Sequence, residues 1–193
     1  MPIRKYRCSR TESVTIIDFD PIIIGMPRGL KQTSSTIAIG FSVDESGKDT
    51  FTQSSVDLNL SPLDREVFVV LAINLDPFTP DAVEGADSKV ESSLTTTSQT
   101  AVQNLSNTNT LAASGNFIKA DGGIAVAFQS MGSETPPATL EYIGIIATND
   151  FFIQVKGTGN NAAKGMDGKL YGYRAVADAS IYAALVQSEV LSA

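Results

Sequence analysis

Between Thr36 and Val43 the side chains alternate without a break: Ile37, Ile39, Phe41 and Val43 fall on one side, and Thr36, Ala38, Gly40 and Ser42 on the other. A period of two belongs to an extended strand with one face against a core. No sustained 3.6-residue period appears anywhere, so a helix bundle is disfavoured and an antiparallel all-β fold becomes the frame for the rest of the chain.

Other segments fit that frame. Two short β-type runs, Ser13–Ile17 and Pro21–Ile24, precede a turn at Gly25-Met26-Pro27-Arg28-Gly29. Thr50–Leu60 reads as a strand with Val56, Leu58 and Leu60 inward. Phe51 is out of phase with them, which predicts a bulge. Ser61, Pro62 and Asp64 carry a helix-start pattern, yet Val67–Leu75 is β-branched and continuous, as in a strand buried on both faces, and strand is the preferred reading there. Ser88–Gly115 has no aromatic residue and is mostly Ser, Thr or Asn; it reads as an exposed excursion, a long loop or an edge ribbon at a subunit contact.

Two hairpins are expected. Asn116–Lys119 and Ile124–Phe128 flank Ala120-Asp121-Gly122-Gly123, and Ala138–Ala147 and Phe151–Lys156 flank Thr148-Asn149-Asp150. Gly157–Gly168 reads as a loop and Lys169–Ala177 as a strand. The Ala-rich Asp178–Leu191 continues that strand or, as preferred here, forms a terminal helix. About ten short strands and at most one helix specify a sandwich, with the jelly roll foremost.

At 193 residues and 42% apolar side chains the chain can bury one core, so the expected organisation is a short arm, residues 1–12, and a single β-sandwich domain, residues 13–193. Asp18, Asp20 and Pro21 interrupt the most hydrophobic early stretch. Neither a membrane span nor a secretory signal is expected, and synthesis in the cytoplasm fits. The single Cys8 gives no intrachain disulfide, so stability must come from packing or association. Arg4, Lys5, Arg7 and Arg10 make the first ten residues basic, while the remainder carries ten basic against twenty-one acidic groups.

The absence of histidine removes imidazole nucleophile activation, histidine metal sites and the commonest general acid–base group. Carboxylate chemistry remains. Asp76, Asp81, Glu84 and Asp87 lie on one loop, where Ca²⁺ is the one candidate ion and an ordinary solvated acidic loop the plainer reading. No catalytic residue and no other cofactor is expected. Gly157-Thr158-Gly159-Asn160-Asn161-Ala162 fits the phosphate-cradle pattern G-x-G-x-x-A, but Gly165 and Gly168 break the helix it requires and no βαβ alternation surrounds it; a hairpin loop is preferred. The basic arm has two readings: Arg4, Lys5, Arg7 and Arg10 neutralise nucleic-acid phosphates, or the arm is solvated or purely interfacial.

A short basic arm on an acidic body with many antiparallel strands and no catalytic histidine resembles the single jelly-roll capsid proteins of small icosahedral viruses. The resemblance implies a large homo-oligomer forming a closed shell, located in the virion, with arms facing the interior or threading beneath neighbours. Readings from other classes are a filament or appendage subunit, a carbohydrate-binding or adhesin-like module, which the lack of tryptophan disfavours, and a carboxylate enzyme with no nameable pair.

Overall fold

The structure, a computed structural model, describes residues 27–121, 124–130, 133–135 and 140–191. The arm and the runs Ser13–Ile17 and Pro21–Ile24 lie outside them, as do Gly122 and Gly123. Along the described residues run β1 (Leu30–Gln32), β2 (Ile37–Asp44), β3 (Thr52–Asp57), β4 (Glu66–Pro77), β5 (Ser88–Thr95) and β6 (Thr110–Asp121). They are followed by β7 (Ile124–Ser130), β8 (Ser133–Glu134), β9 (Gly144–Ile146), β10 (Asp150–Thr158), β11 (Gly165–Ala177) and the helix α1 (Ala179–Leu191). The Ser61 pattern yields one 3-10 turn, Pro62–Asp64, before β4 begins.

All pairings between these strands are antiparallel. In the first sheet β11 lies between β4 and the pair β1 and β2, and β8 and β9 line the far side of β4. The second sheet runs β3-β10-β5-β6-β7. Taking β1 as an extension beside β2, β8 with β9 as one position and β7 as an added edge, the chain visits eight positions. The first sheet holds the first, eighth, third and sixth, and the second sheet holds the second, seventh, fourth and fifth. That order is a jelly roll.

The chain therefore changes sheets at most of its turns. Thr148-Asn149-Asp150 does reverse it, but β9 pairs with β4 and β10 with β3 and β5, so the expected second hairpin does not form. Asn149 holds the crossing: its carbonyl and its Oδ1 accept the amides of Leu58 and Leu60, both at 2.7 Å. The first hairpin does form, with Asp121 opposite Ile124. Nor is there a bulge at Phe51. It precedes β3, which pairs with β10 in unbroken register, so its phase carries no strand information.

The main core lies between the sheets. Ile39, Phe41 and Val43 of β2 face Phe151, Ile153 and Val155 of β10, with Phe41 and Phe151 edge to face at 5.6 Å. β4 is buried on both faces, as its composition predicts. Phe68, Val70 and Ile73 enter this core, while Val67 and Val69 join a second cluster beneath Ile181, Tyr182 and Leu185 of α1. A register break opposite Tyr171 and Gly172 leaves Leu71 as an extra residue and lets Val70 and Ile73, three apart, share one face. The expected loop Gly157–Gly168 is shorter than predicted because Gly165 and Gly168 belong to β11. A side chain at 168 would meet the Phe41 ring, and one at 172 the Phe68 ring, so the glycines make room for aromatics.

Ser88–Gly115 departs furthest from expectation. β5 is central in its sheet, with Val90 and Leu94 in the main core. On its other face Ser93 and Thr95 are buried with Gln154 beneath residues 96–109, which fold back over the sheet. Gln103 donates its amide to Ser93 Oγ at 3.1 Å and Gln99 donates its amide to Gln53 Oε1 at 2.7 Å. Polar residues can occupy such a place when each is hydrogen-bonded, so low hydrophobicity was no guide to exposure here.

Candidate assembly surface

At one end of the sandwich the β2–β3, β4–β5 and β10–β11 loops are tied into one block. Asp81 Oδ1 accepts Lys164 Nζ at 2.6 Å and Oδ2 accepts the Asn161 amide at 2.8 Å. The lysine hydrogen bond, then the amide, holds the Asp81 carboxyl below its ordinary value of 3.8. Asp87 accepts the Ala120 amide at 3.1 Å and pairs with Lys119 at 3.3 Å, and here the amide first, then the lysine, lowers the carboxyl. Asp76 sits apart on β4, exposed and opposite Asp167 of β11, and Glu84 is exposed near the β4–β5 turn. The four acids expected on one loop are thus held apart, Asp81 and Asp87 each with its own lysine, and among the described residues no group of three or more metal-ligating side chains converges.

The glycine-rich loop is also occupied from within. The Gly157 amide donates to Glu45 Oε1 at 2.6 Å, Asn160 to Asp49 Oδ1 at 3.2 Å and Asn161 to Asp81. The backbone donors that would cradle a phosphate face carboxylates instead. Buried Asn160 completes the block, accepting the Asp81 amide and donating to the Lys89 carbonyl, both at 2.9 Å.

The surface left uncommitted is at the other side of the second sheet. β7, Ile-Ala-Val-Ala-Phe-Gln-Ser, pairs only with β6 among the described residues, and every residue of it is exposed. Ile124, Val126 and Phe128 are exposed to 70%, 47% and 55% on its outer face, with Phe117 of β6 directly opposite Phe128. Its inner face overhangs the sandwich. There Ala127 and Gln129, with Asn116 and Ile118, floor a cleft of about 620 Å³ walled by Phe78 and Pro80. Asn116 Nδ2 holds that wall by donating to the Pro77 carbonyl at 2.7 Å. The alternation of β7 marks it as a strand but carries no sign that both faces stay open.

No protein family model matches the chain, and no curated protein matches it. A solved structure does. It is described as Desmodium yellow mottle tymovirus, with a TM-score of 0.27 and 12% identity over 80% of this chain and 96% of that one. The likeness is distant, and the jelly-roll assignment stands on the strand order itself. Arg4, Lys5, Arg7 and Arg10 lie outside the described residues.

Proposed function

We propose that the protein is a structural subunit that assembles with copies of itself into a closed shell, as the coat subunit of a virus-like particle. The observation that carries this reading is β7, an uncharged, mostly apolar strand that is an edge, open on both faces, among the described residues. Natural sheets normally shield such an edge, because it templates pairing with another chain. The rest of the molecule supports it. The jelly roll is an architecture that serves shells, the carboxylates of the loop block are spent on internal hydrogen bonds, and a chain without histidine is poorly equipped for acid–base work.

In this reading residues 1–12 are the arm and residues 13–193 one domain. Arg4, Lys5, Arg7 and Arg10 neutralise phosphates of enclosed nucleic acid without reading its sequence.

Light scattering on a sizing column, with negative-stain micrographs of the full chain, tests the assembly. Closed particles of uniform size are expected. Rods would replace the shell with a filament, and a monomer at all concentrations would overturn self-assembly. For the arm, alanine at the four basic positions should lower the 260/280 absorbance ratio of purified particles; an unchanged ratio assigns the arm a solvated or interfacial role.

A further inference from the structure

We infer that two copies of the chain join edge to edge through β7, each strand pairing antiparallel with its equivalent about a two-fold axis at Ala127. This deepens the assembly reading and rests on it, naming the partner and the register.

Residues 124–130 contain no charge and no proline, two of the devices that ordinarily blunt an edge. The opposite edge of the sheet, β3, is polar along most of its length and ends in Asp57. Each copy carries a net charge of −7, so two copies repel except where an uncharged strip meets another. The lysines beside the outer patch bring no unbalanced charge to the seam, since Lys119 pairs with Asp87 and Lys89 with Glu91.

The strand is also complementary to itself. Centring the axis on Ala127 pairs all seven residues: Ile124 with Ser130, Ala125 with Gln129, and Val126 with Phe128, each pair occurring twice. An aromatic opposite a β-branched residue is a favourable cross-strand pair. Because Phe117 already stands opposite Phe128 within one copy, the seam gains a continuous outer row of Phe117, Phe128 and the mate's Val126, with the same row in reverse beside it. A contact of this kind uses the same edge on both copies and closes on itself, giving a dimer as the block from which a shell is built through other surfaces.

The test places Ala127→Cys in the full chain, keeps the native Cys8, and oxidises assembled protein mildly before a non-reducing gel and peptide mapping. Residues directly opposite in an antiparallel pair have Cα atoms roughly 4.5–5.5 Å apart, within the range of about 4.4–6.8 Å that a disulfide spans. A dimer linked through the two introduced sulfurs is expected. Val126→Cys alone should link poorly to itself but well to Phe128→Cys in mixed assemblies. In the unmodified chain, amides of residues 124–130 should exchange more slowly on assembly. Particles that form with neither the link nor this protection overturn the seam and leave the assembly reading standing, whereas a chain that never associates overturns both. A link from the introduced sulfur to Cys8 would put the N-terminal segment on β7 and also overturn the seam.

Discussion

Ser93 and Gln154 meet on the outer side of the second sheet, the serine Oγ donating to the glutamine Oε1 at 2.7 Å, and solvent reaches neither residue. The glutamine amide donates in turn to Thr95 Oγ1 at 2.7 Å and to Gln53 Oε1 at 3.1 Å. Removing the hub takes one hydrogen bond from each of Ser93 Oγ, Thr95 Oγ1 and Gln53 Oε1 and opens space inside a buried polar layer. Gln154→Ala should therefore cost about 2–3 kcal/mol. That is a fall in Tm of roughly 4–12 °C for a chain of this size. A loss within about 0.5 kcal/mol, the range of an ordinary surface change, would contradict a closed polar layer.

Glu189 of α1 reaches the β9–β10 turn, accepting the Ala147 amide at 3.0 Å and the Thr148 amide at 2.9 Å. Burial raises its carboxyl above the ordinary 4.5, against the pull of those donors. A carboxyl raised in the folded state contributes its stability in full below its unfolded value and loses it as pH climbs through the folded one. Wild type should accordingly gain on the non-titrating Glu189→Gln as pH falls from neutral toward 4.5. Urea unfolding of both proteins across that interval measures the gap, and a flat difference would contradict the burial argument.

Asp81 has the opposite sign. Its carboxyl is lowered by Lys164 and the Asn161 amide, so its contribution is present above 3.8 and lost as pH falls through the lower folded value. Asp81→Asn should loosen the β4–β5 and β10–β11 loops at neutral pH, seen as faster amide exchange at Asn161. The penalty relative to wild type should fade below pH 3.8.

Gly172→Ala would drive a Cβ into the Phe68 ring and the Val69 carbonyl oxygen. The backbone oxygen cannot swing aside, so a cost of about 2 kcal/mol is expected from overpacking. Thermal melts should show Tm lower by roughly 4–8 °C. Gly40→Ala is the control, since nothing lies within 4 Å of its added Cβ and the melt should stay level or rise.

On the assembly side, Phe128→Asp puts a charge on an exposed position of β7, so it should leave monomer stability nearly unchanged while reducing the association measured by light scattering. Loss of the fold instead would mean that Phe128 serves the core.

Much of the architecture was written in local pattern. Alternation assigned the inner face of β2 correctly, the unbroken apolar run of β4 announced a strand with a core on each side, and the Ala-rich tail became α1. These are properties a residue shares with neighbours two to four positions away.

What the tertiary structure decided is which strand meets which. Thr148-Asn149-Asp150 reverses the chain whether β10 pairs with β9 or crosses to β3 and β5, and only the packing of both sheets selects the crossing. Ser93, Thr95 and Gln154 look like surface residues until β10 lies beside β5, so that Gln154 bonds both Ser93 and Thr95, and residues 96–109 fold over them with the Gln103 amide on Ser93. β7 looks like any half-buried strand until the first sheet ends short of it. Periodicity tells a side chain which face it occupies; whether another element covers that face depends on contacts between distant segments, which no local pattern encodes.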